Sequence, residues 1–220
     1  HIFVGQGKAL GSVAASGATV LVVGNPCNTN CLIAEKHAEK HQFYSMTRLD
    51  QNRAMTMLAH KAKVDVTDVS HMTIWGNHSS TQVPDFLNAQ IRKQPVINMI
   101  QDRAWLEGAF ISDVQKRGAV VIAARGKSSA ASAAQAALDG MKSLLTPTPP
   151  GEWFSMGLKS DGNPYGIARG LVFSFPCRSN GKGQIEIVKN LKWDAFLKQK
   201  IHLTEKELLE EKSMVEKLLT

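Results

Sequence analysis

The chain contains the run Thr19-Val20-Leu21-Val22-Val23-Gly24-Asn25-Pro26, an apolar segment that ends abruptly in turn-forming residues. Uninterrupted β-branched and apolar residues are typical of a strand buried on both faces of a parallel sheet. In open α/β sheets, ligands bind beyond the carboxyl ends of the strands. We therefore expect Asn25 to contact a ligand, with an Asx turn before Pro26 as the alternative role for its side chain.

The segments around this strand continue an α/β pattern. Residues 1–18 are rich in glycine and alanine and are predicted to be helical, as are residues 28–40. Gln42 to Met46 is predicted to be a second strand. The run Thr47-Arg48-Leu49-Asp50-Gln51-Asn52-Arg53 then opens a helix that we expect to extend to about Lys63.

Beyond this helix the pattern becomes more mixed. Val69 to Trp75 predicts one strand, and the loop and turn-rich sequence that follows extends through Pro95. Helical spacing of large apolar residues from Trp105 to Val121 predicts a long helix with a kink at Gly118. An alanine-rich helix is expected from Ser128 to Leu145.

The C-terminal part predicts an antiparallel meander followed by a helix. Apolar runs at about 153–158, 171–175 and 184–188 are separated by Gly- and Asn-rich turns. Thr204 and Glu207 have the spacing of a capping box, which predicts that the last helix begins there. The fold class is therefore α/β, with a parallel sheet followed by an α+β part that contains the meander.

Composition excludes several classes of protein. With 43% hydrophobic and 20% charged residues, the 220-residue chain is an ordinary globular protein. Its apolar runs are too short to span a bilayer, so no membrane partner is expected. Three dispersed cysteines and the lack of a secretion signal favour the cytoplasm. The net charge of +7 is scattered rather than clustered, so no nucleic-acid partner is expected.

One motif resembles a metal site superficially. Cys27, Cys31, His37 and His41 follow the pattern C-x3-C-x5-H-x3-H. The gap between the cysteines and the histidines is much shorter than in zinc fingers, and a strand, turn and helix already account for the segment. We therefore expect no bound metal.

A candidate catalytic constellation lies in two other segments. Asp50 and Arg53 are three residues apart and can project from the same side of a helical turn. His78 lies in Ile74-Trp75-Gly76-Asn77-His78-Ser79, where an apolar run ends in polar residues. A carboxylate, a guanidinium and an imidazole could orient a proton carrier and bind a substrate carboxylate. The alternatives are a surface or capping histidine, and a helix N-terminal acid beside a solvated arginine.

Four motifs in order along the chain resemble the malate dehydrogenases of the cytosolic, chloroplast and bacterial branch. They are VVGNPCNTN from Val22, TRLDQNRA from Thr47, IWGNHSSTQVPDF from Ile74 and GNPYG from Gly162. Lactate dehydrogenases share the Asp-x-x-Arg pair but typically carry Gly-Glu-His-Gly where this chain has Gly76-Asn77-His78-Ser79. The resemblance implies hydride exchange between malate or oxaloacetate and a nicotinamide cofactor.

The resemblance also implies roles for individual residues. His78 would carry the proton, Asp50 would orient the imidazole, and Arg53 would bind a substrate carboxylate through two hydrogen bonds. Asn25 would bind the substrate oxygen. The cofactor would lie near Gln6, Val23, Gly24, Asn25 and Ser128. For Ser128 and its neighbour Ser129, capping the alanine-rich helix is an equally weighted alternative.

The same resemblance implies how the chain is organised. Residues 1–48 would be the last part of a Rossmann-type NAD-binding domain, and residues 49–220 the substrate domain. A homodimer is implied, with helices near 50–63 and 105–125 contributing to the interface. Both helices look apolar on more than one face, which fits that expectation.

These residues lack one unit that a dinucleotide-binding fold requires. The unit consists of a first strand, a glycine-rich turn and an acidic residue about 20 positions later. We therefore expect residues 1–220 by themselves neither to bind NAD tightly nor to oxidise malate. NAD is the preferred cofactor, and NADP is the alternative. The alternative function is a non-catalytic remnant that binds a carboxylate or a protein partner.

Overall fold

The computed structural model describes residues 1–220 as eight α-helices and ten strands. The helices are α1 (Ile2–Val13), α2 (Cys27–Lys36), α3 (Arg48–Ala62), α4 (Val96–Met99), α5 (Arg103–Trp105), α6 (Ile111–Arg125), α7 (Ala131–Leu145) and α8 (Ala195–Met214). The strands are β1 (Thr19–Val22), β2 (Gln42–Ser45), β3 (Val69–Ser70), β4 (Thr73–Trp75), β5 (Val83–Asp85), β6 (Gln90–Ile91), β7 (Gln94–Pro95), β8 (Phe154–Lys159), β9 (Val172–Ser179) and β10 (Ile185–Ile187).

One mixed sheet of five strands, in the order β1-β2-β8-β9-β10, joins the two parts of the chain. β1 and β2 are parallel, as the apolar run of β1 predicts, and β8, β9 and β10 form the predicted antiparallel meander. β2 meets β8 antiparallel at Ser45 and Gly157. The predicted fold class is confirmed. The division between residues 48 and 49 stays a prediction, and it falls just after β2.

The predicted strand Val69 to Trp75 is wrong, because the chain turns at His71, whose φ is 59°. A left-handed residue cannot continue an extended strand. β3 therefore pairs with β6, and β4 pairs with β5. The loop predicted after residue 80 contains these short partner strands instead.

The long helix predicted from Trp105 begins earlier and is irregular at a different place. Asp102 caps the first turn by accepting a hydrogen bond from the Trp105 amide (3.0 Å). A π-helical turn, Leu106–Phe110, precedes α6, and Gly118 lies inside regular helix. The predicted kink at Gly118 is therefore wrong.

Three other helix boundaries differ from the predictions. α2 ends at Lys36 rather than near residue 40, and α7 begins at Ala131 after an Ala130 N-cap. α8 begins after Asp194, whose carboxylate accepts a hydrogen bond from the Leu197 amide (2.8 Å). The capping box predicted at Thr204 is wrong, because Thr204 lies in the middle of α8.

Two buried clusters fix the elements that carry the site. One surrounds α3 and α6 and includes Leu58, Phe86 and Phe110. The other covers the sheet beneath α8 and includes Trp75 and Phe175. None of the helices combines the length and the hydropathy that a membrane span requires.

Candidate active site

The first turn of α3 places Asp50 in the interior. The helix starts three residues after β2, and its N-terminal turn favours an acidic side chain because the helix dipole is positive there. Asp50 is fully buried, and its Oδ1 lies 3.6 Å from a terminal nitrogen of Arg53. The predicted pair therefore shares one side of the helix.

The loop after β4 brings His78 to the same place. Gly76 turns the chain with a φ of 91°, and it forms an isolated bridge with Ser174 of β9. The His78 amide donates to Asn28 Oδ1 at the start of α2 (3.0 Å). His78 Nδ1 contacts Asp50 Oδ2 in a short hydrogen bond. With the Nδ1 proton donated to Asp50, Nε2 of the neutral ring is free to accept a proton.

The carboxylate oxygen of Asp50 that does not bind His78, Oδ1, also has partners. Gln82 Nε2 donates to Oδ1 (3.3 Å), and the Arg53 guanidinium is on the same side. The backbone carbonyl of Gln82 accepts a hydrogen bond from Gln115 Nε2 of α6 (2.8 Å). A buried carboxylate is costly unless it is paired and hydrogen-bonded, and these contacts meet that requirement.

The surroundings of His78 raise its pKa above 6.5. Burial of the imidazole is the largest influence and lowers the pKa, and the charge of Arg53 lowers it further. The charge of Asp50 and its hydrogen bond to the ring act in the opposite direction and together outweigh both. The dyad therefore favours the imidazolium form.

Arg53 faces a groove of about 740 Å³ between α3 and α6. One guanidinium nitrogen donates to Ser129 Oγ (3.1 Å). Burial lowers the pKa of Arg53; the charge of Asp50 opposes this effect and that of Arg117 adds to it. The planar guanidinium stays charged and can offer a carboxylate two parallel hydrogen bonds.

Asn25 lies just beyond β1, as predicted, and its side chain is exposed. Asn25 makes no intramolecular side-chain hydrogen bond, so the alternative Asx turn is not formed. Gly24 and Val23 precede it and are also exposed. The Gly24 carbonyl accepts from Asn30 Nδ2 (3.0 Å), which fixes this end of the strand against α2.

The remaining predicted residues lie at the edges of this region. Gln6 is exposed on α1 and lines a cavity of about 320 Å³ together with Val23. Ser128 is exposed. Neither Ser128 nor Ser129 caps α7, whose N-cap Ala130 has no side-chain hydrogen bond. The capping alternative is therefore wrong, and Ser129 rather than Ser128 reaches Arg53.

The sequence motif that resembles a metal site does not assemble one. No group of three or more histidine, cysteine or acidic side chains converges. Cys27 donates to the Val22 carbonyl (3.1 Å), and burial raises the pKa of its thiol to about 12. His37 Nε2 contacts the Leu218 carbonyl (2.9 Å) at the C-terminal end.

Three residues of the site were not foreseen: Asn28, Gln82 and Ser129. Asn28 is fully buried, and its amide also donates to the carbonyls of Gly76 (3.2 Å) and Val172 (3.0 Å). The only local signal for Asn28 and Gln82 is that each is polar and lies close to a predicted site residue. Asn28 is three positions after Asn25, and Gln82 is four positions after His78.

Comparison with known proteins identifies a family. Residues 47–219 match the model described as lactate/malate dehydrogenase, alpha/beta C-terminal domain. The chain is 62% identical over 221 residues to a malate dehydrogenase of Protochlamydia amoebophila, covering 99% of this chain and 67% of that protein. It is 55% identical over 218 residues to the NADP malate dehydrogenase of Pisum sativum chloroplasts, covering 98% of this chain and 49% of that protein. The chain thus spans from two thirds to about half the length of these relatives.

Solved structures show the same relationship. The malate dehydrogenase of Naegleria fowleri superposes with a TM-score of 0.91 at 42% identity, over 99% of this chain and 67% of that one. The lactate dehydrogenase of Trichomonas vaginalis, in complex with NADH and oxamate, superposes with a TM-score of 0.94 at 40% identity. That match covers 99% of this chain and 68% of the other.

Proposed function

The chain belongs to the lactate/malate dehydrogenase family, and we propose that the protein interconverts malate and oxaloacetate with a nicotinamide cofactor. The observation that carries this proposal is the buried contact between Asp50 and His78 on the side of α3 that also presents Arg53. That arrangement places a proton acceptor and a carboxylate ligand beside the same turn of α3. A non-catalytic binding remnant would not need the first of these.

The proposed mechanism begins with proton transfer at His78. Nε2 accepts the proton of the malate hydroxyl as the C–H bond at the same carbon breaks, and it returns this proton in the reverse reaction. Asp50 holds the ring in the tautomer with a free Nε2 and stabilises the imidazolium that forms. Burial of the dyad strengthens this effect because the charges are poorly screened by water.

The proposed role of Arg53 is to bind the substrate carboxylate. Its guanidinium lies on the groove side of α3, where Ser129 fixes one nitrogen (3.1 Å). A bidentate pair with a carboxylate holds both the distance and the orientation of the substrate. In the same proposal the exposed amide of Asn25 donates to the substrate oxygen.

The end of β1 fits a nicotinamide ring. Val23 is an apolar residue left 41% exposed, beside Gly24 and the unbonded amide of Asn25. This combination offers an apolar surface for one face of the ring and polar groups at its edge. Gln6 and Ser128 are proposed as more distant neighbours. The bound cofactor would supply the hydride acceptor, the group that none of these side chains provides.

The choice between NAD and NADP is part of the proposal. We favour NAD, while the relative from Pisum sativum is named for NADP. The test is a 340 nm assay of the full-length protein with malate and each cofactor, and with lactate as the competing substrate. Efficient malate oxidation with NAD supports the whole proposal. Turnover of lactate alone, or of neither acid, would contradict it.

The pH dependence follows from the raised pKa of His78. Reduction of oxaloacetate needs the imidazolium, so kcat/KM is high below the His78 pKa and falls as pH rises through it. Since that pKa lies above 6.5, the fall should occur above pH 6.5. Asp50→Asn removes the charge that raises the pKa, so the falling limb should move to lower pH. The control Glu186→Gln removes an exposed carboxylate on β10 and should leave the limb in place. An unchanged limb in Asp50→Asn would disprove the assignment.

We also propose a homodimer formed through α3 and α6. α6 leaves Val120 and Ile122 about half exposed, and Val120 lies beside the groove that α6 shares with α3. In the proposed dimer the partner covers both side chains. Light scattering at micromolar concentration should give twice the chain mass. Val120→Arg should lower this mass, whereas Leu203→Arg, an equally exposed site on α8, should not. A monomer before any substitution would contradict the dimer.

A cytoplasmic location remains a proposal. It is supported by the three cysteines, all of which are buried free thiols. Free buried thiols persist where the environment is reducing. Fractionation of the source cells followed by immunoblotting tests the location, and recovery in an oxidising compartment would contradict it.

A further inference from the structure

The loop that carries His78 is attached to the middle of α8. Three side chains of this helix, Thr204, Glu207 and Glu211, lie on one face because their spacing is three and four residues. We call them the α8 clamp. They contact residues on both sides of His78, although α8 is distant in sequence and supplies no group to the proposed chemistry.

Asn77, immediately before His78, is bound by all three members of the clamp. Its backbone amide donates to Thr204 Oγ1 (2.9 Å). Its side-chain amide donates to Glu207 Oε2 (2.8 Å) and to Glu211 Oε1 (2.7 Å). Both protons of its side-chain amide are thereby used. Asn77 itself is buried, with 1% of its surface exposed.

The residues after His78 are bound to the same carboxylate. Ser79 Oγ donates to Glu207 Oε2 (2.5 Å), and Thr81 Oγ1 lies 2.5 Å from that oxygen. Ser79 and Thr81 also contact each other (3.0 Å). One oxygen atom of Glu207 therefore collects hydrogen bonds from both sides of His78.

The loop passes very close to α8 at Gly76. A Cβ atom on Gly76 would lie 2.1 Å from Thr204 Cγ2, so glycine is required where the loop passes α8. Glu211 is also held from the other side by Thr29 of α2. Neither Glu207 nor Glu211 forms an ion pair with a basic side chain. Their contacts are hydrogen bonds from neutral groups of the loop and of α2.

We propose that Glu207 and Glu211, together with Thr204, are positioning residues that hold His78 against Asp50. This inference rests on the proposed function of His78. The ring can stay on Asp50 only if the backbone around it is fixed, and the clamp fixes the residues on both sides. Without the clamp the loop would gain freedom, and the ring would spend less time in the reactive position.

The first test compares three variants of the full-length protein. Glu207→Ala removes the shared acceptor and should lower kcat by about 10–100-fold, the size expected from small misplacements of reacting groups. The Kd for the cofactor should be unchanged. Glu207→Gln keeps an acceptor oxygen without the charge and should recover most of kcat. The control Glu210→Gln makes the same change at an exposed position of α8 and should match the unsubstituted protein.

A second readout does not depend on turnover. NMR titration of the His78 ring protons reports whether the ring still contacts Asp50, because that contact raises its pKa. Glu207→Ala should shift the titration to lower pH, and Glu207→Gln should shift it much less. If loss of charge alone were responsible, the two variants would shift it equally. That result would overturn the proposal.

Thr204→Val provides a charge-neutral version of the test. Valine fills the same space but cannot accept from the Asn77 amide, so kcat and the His78 titration should move in the same direction as in Glu207→Ala. This variant also decides the question if Glu207→Ala does not fold. Normal kcat and a normal His78 titration in Thr204→Val would overturn the proposal. A protein inactive on malate would contradict the proposed function, while the titration would still decide the role of the clamp.

Discussion

Replacement of His78 by alanine is expected to lower kcat for malate oxidation by about 10⁴-fold, with little change in cofactor affinity. General acid–base catalysis by a positioned side chain is worth about 10²–10⁴-fold, and loss of the imidazolium beside Asp50 adds to the deficit. His78 is held by hydrogen bonds to Asn28 and Asp50 and forms none with the residues proposed for the cofactor at the end of β1. The substitution should therefore spare binding and remove chemistry.

Steady-state kinetics and calorimetry with the cofactor separate these two effects. The matched control is His202→Ala, because the His202 side chain is 80% exposed on α8 and is remote from Asp50. That variant should keep normal kinetics. Normal turnover of His78→Ala would remove His78 from the mechanism and leave the family resemblance without a proton carrier.

The second large effect is expected for Arg53→Lys, which should reduce kcat/KM for malate by about 10²-fold. Lysine keeps the charge but cannot form two parallel hydrogen bonds to a carboxylate, and hydrogen bonds to charged groups contribute about 1.5–3 kcal/mol each. The change should appear mainly as a higher KM for the substrate. The cofactor Kd should hardly move.

Arg92→Lys is a suitable control, because the Arg92 side chain is 61% exposed and pairs with Asp68 rather than with a residue of the site. It should have wild-type kinetics. If Arg53→Lys weakened substrate and cofactor binding equally, or lowered the melting temperature without a change in KM, Arg53 would be a structural partner of Asp50 rather than a carboxylate ligand.

The parts of the fold that sequence predicts well are those with local signals. The apolar run Thr19 to Val23, the meander after residue 152 and the α3 start after Met46 are all found where expected. The proximity of Asp50, Arg53 and His78 was predictable for the same reason. Asp50 and Arg53 are three residues apart on a helix, and His78 follows a short buried strand.

The errors arose where one local pattern is compatible with two structures. Val69 to Trp75 has the composition of a single strand, and only the left-handed conformation of His71 divides it. Thr204 and Glu207 have capping-box spacing, but the same spacing places two side chains on one face of a continuous helix. The true cap, Asp194, lies ten residues earlier.

The contacts that complete the site are long-range and leave no periodic signal. Asn28 binds the His78 amide across 50 residues, and Glu207 binds Ser79 across 128. Such pairs depend on how the sheet brings β4 beside β9 and α8. These long-range contacts cannot be predicted from the sequence before the topology is known. The residues that hold His78 in place are therefore visible only in the structure.

The position of Asp50 and Arg53 on a single turn of α3 has a consequence for which acids fit. Three helical residues rise about 4.5 Å, and a terminal nitrogen of Arg53 lies 3.6 Å from the carboxylate that binds His78. The imidazole and the guanidinium are therefore close together. In the proposed mechanism this short separation should suit acids that carry the hydroxyl on the carbon next to the carboxylate, and it should disfavour positional isomers in which a methylene group separates the two.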